Sequence, residues 1–365
     1  MQARLSIIIP FGLSKQRPYI KDRVLQKVRD FTSGESVEYI FVEGFSSELA
    51  PEIQALIKES GHTYLKDEAQ QERGFFSQGA CRNLGVKNAK FEVVMALDVD
   101  YYLTSANLAK ILKLIELKDF ANNQNALIVL PCVFLKEEAN ALLPTKKEEE
   151  FELIIQNDLI SGKNELVKFF TPVSTSSFAI NKELFLRLGG FDEDFVGHGY
   201  EDFDLLARVL LKTQAFEKMP RAMLYDSRNW DFSEFKGFRA YFSLLGYECC
   251  FYGLYLYHFW HSEPNQNGYF DNKDKNHKRF FSKLQGYLQE ELPENRQFHP
   301  LSSFIYKPYL YELSHKGFSF LPQNLQTRIS HTKFYRLFRK FKSSPQAFFK
   351  DSKNPLLKFI AKLWA

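Results

Sequence analysis

The stretch "GACRNLGVKNAKFEVVMALDVD", Gly79–Asp100, joins a short helical segment with small residues near its start to a hydrophobic run that ends in two aspartates. Its second half continues as "FEVVMALDVDYYL" and reads as a buried strand, because apolar residues run through it without helical spacing. Alternation along a strand places Asp98 and Asp100 on one face, and a turn at that point fans them around one ion. Two carboxylates at the end of a buried strand are costly unless a cation or hydrogen bonds compensate them. A hard divalent cation that also binds diphosphate oxygens meets that need. The competing reading is a strand-terminating pair that caps the helix after it, and the D-x-D spacing alone does not decide between the two.

Outward from this strand, short β-rich runs alternate with helical patterns. "RLSIIIPF", "VEYIFVEG" and "NALIVLPCVFL" read as strands, while "YIKDRVLQKVRDF", "LAPEIQALIKES" and "SANLAKILKLIEL" carry helical periodicity. This order predicts an α/β fold with a mostly parallel sheet flanked by helices, whose ligands sit at the carboxyl ends of the strands. From about Phe151 the pattern changes: "EEEFELIIQNDLIS" reads as a helix, and "SSFAINKELFLRLGGF" as a strand and then a short helix.

Several of these runs, in this order, resemble the family-2-like nucleotide-sugar glycosyltransferases with the GT-A fold, a Rossmann-like architecture. "SIIIPF" is similar to the family's opening strand, which ends under the nucleoside at Pro10 and Phe11. "YIFVEGFSS" resembles the second strand, where the family usually carries a base-contacting Asp; here the position is Glu43. The Gly79–Asp100 run is similar to the family's small residue, Arg-Asn, Gly and metal-site strand. The resemblance covers roughly residues 4–262. It implies that Arg82 lies by the nucleotide, that Asp98 contacts the ribose and metal region, and that Asp100 ligates the metal.

"GGFDEDFVGHGYEDFDLL", Gly189–Leu206, sets six carboxylates among glycines and aromatics. Read by itself it is a capped helix, since acids in a first turn face the positive end of the helix dipole. It is also similar to the C-terminal half of galactosyltransferase-like enzymes, where glycines and an aromatic precede Glu-Asp and a helix. That resemblance implies inversion, with Asp202 as the base that takes the acceptor proton and Glu201 as its acceptor-binding neighbour. Asp204 is expected to be an outward or capping acid. Asp192, Glu193 and Asp194 are expected in a loop, as solvated acids or acceptor contacts.

"YLYHFWHSEPNQN" spaces His258 and His261 at i, i+3. Related GT-A enzymes often add a late His to the metal, and the resemblance favours His261, with His258 as the other option and aromatic-packed structural histidines as the alternative. A nitrogen ligand beside carboxylates and phosphate suits Mn2+, with Mg2+ second. Trp230, in "DSRNWDF", is either a sugar-stacking platform or a core tryptophan.

The chain has 365 residues and a net charge of +4, but 331–365 alone holds nine Lys/Arg against one Asp, so the remainder carries −4. An acidic body with a basic tail does not fit a general nucleic-acid binder. In the tail, Phe334, Leu337, Phe338 and Phe341 form one amphipathic stripe, and Leu356, Leu357, Ile360, Leu363 and Trp364 another. Such segments either adsorb to an anionic membrane surface or dock on protein. The four cysteines lack metal-ligand spacing, and no run approaches the roughly 20 apolar residues of a membrane span. A cytoplasmic protein is expected, at or away from the inner face of the membrane.

Walker, dinucleotide-binding and nucleophile-elbow motifs are all absent from the sequence. The organisation expected is a GT-A domain over 1–262, a helical extension over 263–330 and a basic amphipathic tail over 331–365. The activity expected is metal-dependent inverting transfer from a nucleotide-diphosphate sugar, a UDP-sugar, to a glycan or lipid-linked saccharide of a growing surface or capsular polysaccharide. The rival readings are a non-catalytic, sugar-binding or scaffold member of a polysaccharide assembly complex, and a nucleotidyltransferase.

Overall fold

A seven-residue run, Leu5–Phe11, is buried along its whole length and forms the centre of the larger sheet. The computed structural model describes residues 3–212, 221–226, 230, 237–262 and 268–288, together with Leu337, Phe341, Phe348 and Phe349. Apart from Leu337 and Phe341, the tail stripes lie outside the described residues, as does most of the 263–330 segment. In chain order the strands are β1 (Leu5–Phe11), β2 (Val37–Glu43), β3 (Thr63–Lys66), β4 (Val93–Ala96), β5 (Tyr101–Tyr102), β6 (Leu127–Val129), β7 (Cys132–Leu135), β8 (Val167–Thr171), β9 (Phe178–Asn181) and β10 (Leu256–His258).

They form two sheets, a six-stranded one in the order β3-β2-β1-β4-β9-β6 and a four-stranded one in the order β5-β10-β7-β8. Strands β3, β2, β1 and β4 run parallel, and β9 is antiparallel to both of its neighbours. Alternation along β1 sends Leu5, Ile7, Ile9 and Phe11 to one core and Ile8 to the other. Helices cover both faces, as a buried parallel sheet requires. A third core lies under the smaller sheet, around Val133, Phe151, Tyr247 and Tyr257.

The run "NALIVLPCVFL" is not one strand: Pro131 has no N–H for the ladder, and the chain passes there from the first sheet (β6) to the second (β7). "FEVVMALDVDYYL" divides likewise. β4 ends at Ala96, a turn closed by the Tyr101 N–H donating to the Asp98 carbonyl at 3.0 Å carries Asp98 and Asp100, and β5 follows in the second sheet.

Glycine at 246 is imposed by packing. It lies inside the helix Phe238–Phe251, where glycine weakens the helix by about 1 kcal/mol. A Cβ there would stand 1.5 Å from the carbonyl oxygen of Pro172. The helix thus fixes the backbone that leads into residues 173–177. The variant G246A is expected to lose about 3 kcal/mol of stability, read as a lower urea midpoint with an unchanged slope.

Candidate active site

The loop ends at the carboxyl edge of β1, β2 and β4 gather the first group of side chains. Pro10 and Phe11 are buried at the end of β1. Glu43 closes β2 and accepts a hydrogen bond from Tyr64 Oη at 2.5 Å. Arg82 projects from the helix Gln78–Asn88, whose start is capped by Ser77 accepting from the Ala80 N–H at 3.3 Å. Its side chain is only 1% exposed, and Nη2 donates to Asp98 Oδ1 at 2.7 Å. Nη1 stands 3.7 Å from Glu201 Oε1, and the guanidinium lies 5.1 Å from the Phe191 ring centre. Burial works against this charge, yet Asp98 and Glu201 together hold the Arg82 pKa above its ordinary value.

The neighbouring Asn83 performs a different task. Its side chain accepts from the Phe191 N–H at 2.8 Å and donates to the Phe191 carbonyl at 2.9 Å, so it clamps the "GGF" loop from both sides. Gly190, at φ +65°, leaves no room for a Cβ, which would stand 2.4 Å from Asn83 Oδ1. One Arg-Asn pair therefore joins the strand-end aspartate, the glycine loop and the second acid pair.

Glu201 and Asp202 open the helix Glu201–Lys212, directly after Tyr200 at φ +78°. Glu201 is buried, and its Oε2 has no hydrogen-bond partner. Asp202 is partly exposed, with Oδ2 accepting from Thr175 Oγ1 and Oδ1 accepting from the Phe203 N–H at 2.8 Å. Burial pushes both carboxyls upward, and the adjacent Asp202 pushes Glu201 further.

Asp204 is not the outward acid expected from its place in the first turn. It is fully buried, and binds Arg208 at 2.9 Å, Lys283 at 3.1 Å and Tyr287 Oη at 2.8 Å. Asp192 pairs with Arg279 and Lys283, which holds its carboxyl down to about 2 against the effect of burial. Both acids thus tie the helix Glu201–Lys212 and the loop before it to the helix Lys273–Tyr287, whose Phe280 and Leu284 enter the second core. Trp230 is partly buried, 6.3 Å from Phe203 and 6.0 Å from the Arg239 guanidinium.

The smaller sheet assembles the last group. β10 pairs with β5, His258 opposite Tyr101, and the Phe259 N–H donates to the Asp100 carbonyl at 3.0 Å. Asp100, His258 and His261 each offer a ligand atom there, all within 4.8 Å of one another. His261 Nδ1 lies 2.9 Å from the Ser262 carbonyl, which leaves Nε2 facing Asp100 Oδ2 at 3.5 Å. A backbone acceptor on the far nitrogen is the usual way to orient a metal-binding imidazole. Burial, together with His261, lowers the His258 pKa to about 3, so its ring is neutral, as a ligand must be. Asp100 Oδ1 is buried without a partner, and burial raises the carboxyl. These residues fit a divalent cation. Asp98 lies outside the cluster, its oxygens engaged by Arg82 and by Ser176 Oγ at 3.1 Å.

The hydroxyl-rich run 174–177 was not among the residues singled out from sequence, although it touches Asp98 and Asp202 alike. Tyr269 is a second such residue: its Oη donates to Gln78 Oε1 at 3.1 Å, within electrostatic reach of Glu201, Arg82 and Asp98.

The family model described as glycosyltransferase like family 2 matches residues 6–286. No curated protein matches the chain. Among solved structures the chain is similar to S. aureus TarS 1–349, with 14% identity, 99% of this chain and 87% of that chain covered, and a TM-score of 0.42. It is similar to the mannosyltransferase PcManGT from Pyrobaculum calidifontis, solved in complex with GDP-Man and Mn2+, with 14% identity, 100% and 88% coverage and a TM-score of 0.38. A further S. aureus TarS structure aligns over 57% of this chain at 15% identity and a TM-score of 0.36, and the chain spans only 33% of its length. Likenesses at these scores carry no argument about function. The family match does, because it spans both acid pairs, the Arg82–Asn83 helix and the Asp100–His261 cluster: the chain belongs to the family-2-like glycosyltransferases, and is a glycosyltransferase with the mixed α/β, mostly parallel-sheet architecture of the GT-A type.

Proposed function

We propose that the chain transfers a glycosyl group, with inversion and in a metal-dependent reaction, from a UDP-sugar to a hydroxyl of a growing surface or capsular polysaccharide. The observation that carries this reading is the buried Arg82 guanidinium, which stands between the strand-end Asp98 and the helix-start Glu201. It sets a donor-side carboxylate and an acceptor-side pair a side chain's width apart. Glu43 at the end of β2 suits a base with a ring N–H, such as uracil, because an ionised carboxylate only accepts hydrogen bonds.

Asp202 accepts the proton of the acceptor hydroxyl while that oxygen attacks the anomeric carbon. The bond from carbon to the diphosphate oxygen breaks, and its electron pair leaves with the nucleotide. Glu201, buried and short of donors, stays protonated and orients the acceptor. Asp100, His258 and His261 would hold a divalent cation, and their mixed oxygen and nitrogen donors suit Mn2+, with Mg2+ second. When bound, it supplies positive charge for the leaving diphosphate.

The reading is tested by incubating the purified chain with a panel of nucleotide sugars and Mn2+ and measuring nucleotide release. UDP release is expected, and release from no donor would overturn the proposal. D202N should lower kcat by about 10²- to 10⁴-fold with little change in donor KM. Because a base works only when ionised and burial raises this pair, activity should fall on acidification at a pH above the ordinary carboxylate range of about 4.

The metal assignment has its own measurement. D100N and H261A should each weaken Mn2+ binding by about tenfold or more in calorimetry. Unchanged affinity in both would remove these residues from the site.

We also propose that residues 331–365 recruit the enzyme to an anionic membrane surface, a reading supported by their charge and apolar stripes. No helix among the described residues is long and apolar enough to cross a membrane. The full chain should co-sediment with phosphatidylglycerol vesicles and lose that property when 331–365 is removed. Equal recovery of the two would refute surface recruitment.

A further inference from the structure

The loop from β8 to β9, "TPVSTSSF", sets a hydroxyl against each of the two acid groups. Ser176 Oγ donates to Asp98 Oδ2 at 3.1 Å, and Thr175 Oγ1 donates to Asp202 Oδ2. The loop has little freedom to move. The Ser174 N–H donates to the Leu130 carbonyl at 2.6 Å, the Ser177 N–H donates to the Ser174 carbonyl at 3.1 Å, and Gly246 seats the Pro172 carbonyl.

Glu201 and Asp202 are adjacent, so placing a negative charge on one opposes placing it on the other. Their hydrogen bonds differ. Among the described residues, Glu201 Oε2 is buried with no donor, and Oε1 lies 3.7 Å from the Arg82 guanidinium. Asp202 receives the Thr175 hydroxyl on one oxygen and the Phe203 N–H on the other. Donors to a carboxylate favour its ionised form, whereas a buried oxygen without one favours protonation. We propose that Thr175 is a positioning residue that assigns the negative charge of the Glu201–Asp202 pair to Asp202, and with it the role of proton acceptor.

This inference rests on the reading of Asp202 as the base. Among the described residues, the charged and titratable groups facing Asp202 come from three elements. Glu201 shares its helix, Arg82 comes from the helix Gln78–Asn88, and Asp98 from the turn after β4. Tyr269 faces Glu201 from the segment after His261, and the Arg239 guanidinium covers the Phe203 ring at 4.9 Å. Among the described residues, Thr175 is the one side chain that donates to Asp202. The backbone donor at Phe203 is common to every substitution at 175, so the hydroxyl can be tested separately.

The test is a carboxyl 13C titration of the full chain, labelled in aspartate and glutamate and held free of metal by a chelator. D202N and E201Q identify the two resonances. In the native chain Asp202 is expected to titrate below Glu201. T175V should raise the Asp202 midpoint by about one pH unit, and T175S should keep the native order. T175A, which removes the hydroxyl with less bulk, should reproduce the shift even if T175V does not fold. An Asp202 midpoint that stays put in a folded T175V or T175A overturns the inference. Nucleotide release from UDP-glucose with Mn2+, measured on the same proteins, bears separately on the enzymatic reading. Where release is seen, the acid limb of kcat in T175V should move up with the Asp202 midpoint, a change that a purely structural role would not produce.

Discussion

A guanidinium buried between two carboxyl groups is the constraint on which the site depends. Arg82 is almost wholly removed from water, which is expensive for a cation unless anions meet it. Asp98 is such an anion, 2.7 Å away in the turn after β4, while Glu201 brings a carboxyl oxygen to 3.7 Å from the start of a helix far along the chain. The charge balance therefore fixes how closely the strand edge and the helix start approach.

Around that centre, most of the other polar contacts hold loops in place. Asn83 clamps the backbone of Phe191, Asp192 and Asp204 anchor to Arg279, Lys283 and Tyr287, and Asn276 donates to the Val196 carbonyl at 3.0 Å. The glycine loop with its positive-φ residues is thus supported on several sides. Asp202, next to the buried Glu201, is left partly exposed.

Much of the architecture was legible from sequence. The helices over Tyr19–Asp30, Ser105–Leu117 and Glu148–Ser161 follow the apolar spacing, and the strand runs at β1 and β2 lie where hydrophobic continuity put them. The Asp pair after β4 and the Glu-Asp helix start were visible because carboxylates at element ends stand out. The second sheet was harder. Pro131 marked the break between β6 and β7, but a local pattern does not say that the chain changes sheets there. Asp204 looked like a capping acid because two of its partners, the Lys283 ammonium and the Tyr287 hydroxyl, come from a helix far away in sequence. Thr175 and Ser176 carried no signal, since hydroxyls are ordinary in loops, and only the fold sets them against carboxylates.

The ligand cluster draws Asp100 from one end of the second sheet's history and His261 from the other, joined through the Phe259–Asp100 backbone contact. The helix that neutralises Asp204 comes later still. A chain leaving the ribosome can thus complete the large sheet before Asp100 meets His258 and His261 and before Asp204 meets Lys283. The helix Lys273–Tyr287 therefore makes its contacts with Asp192 and Asp204 only after every strand of both sheets has been made.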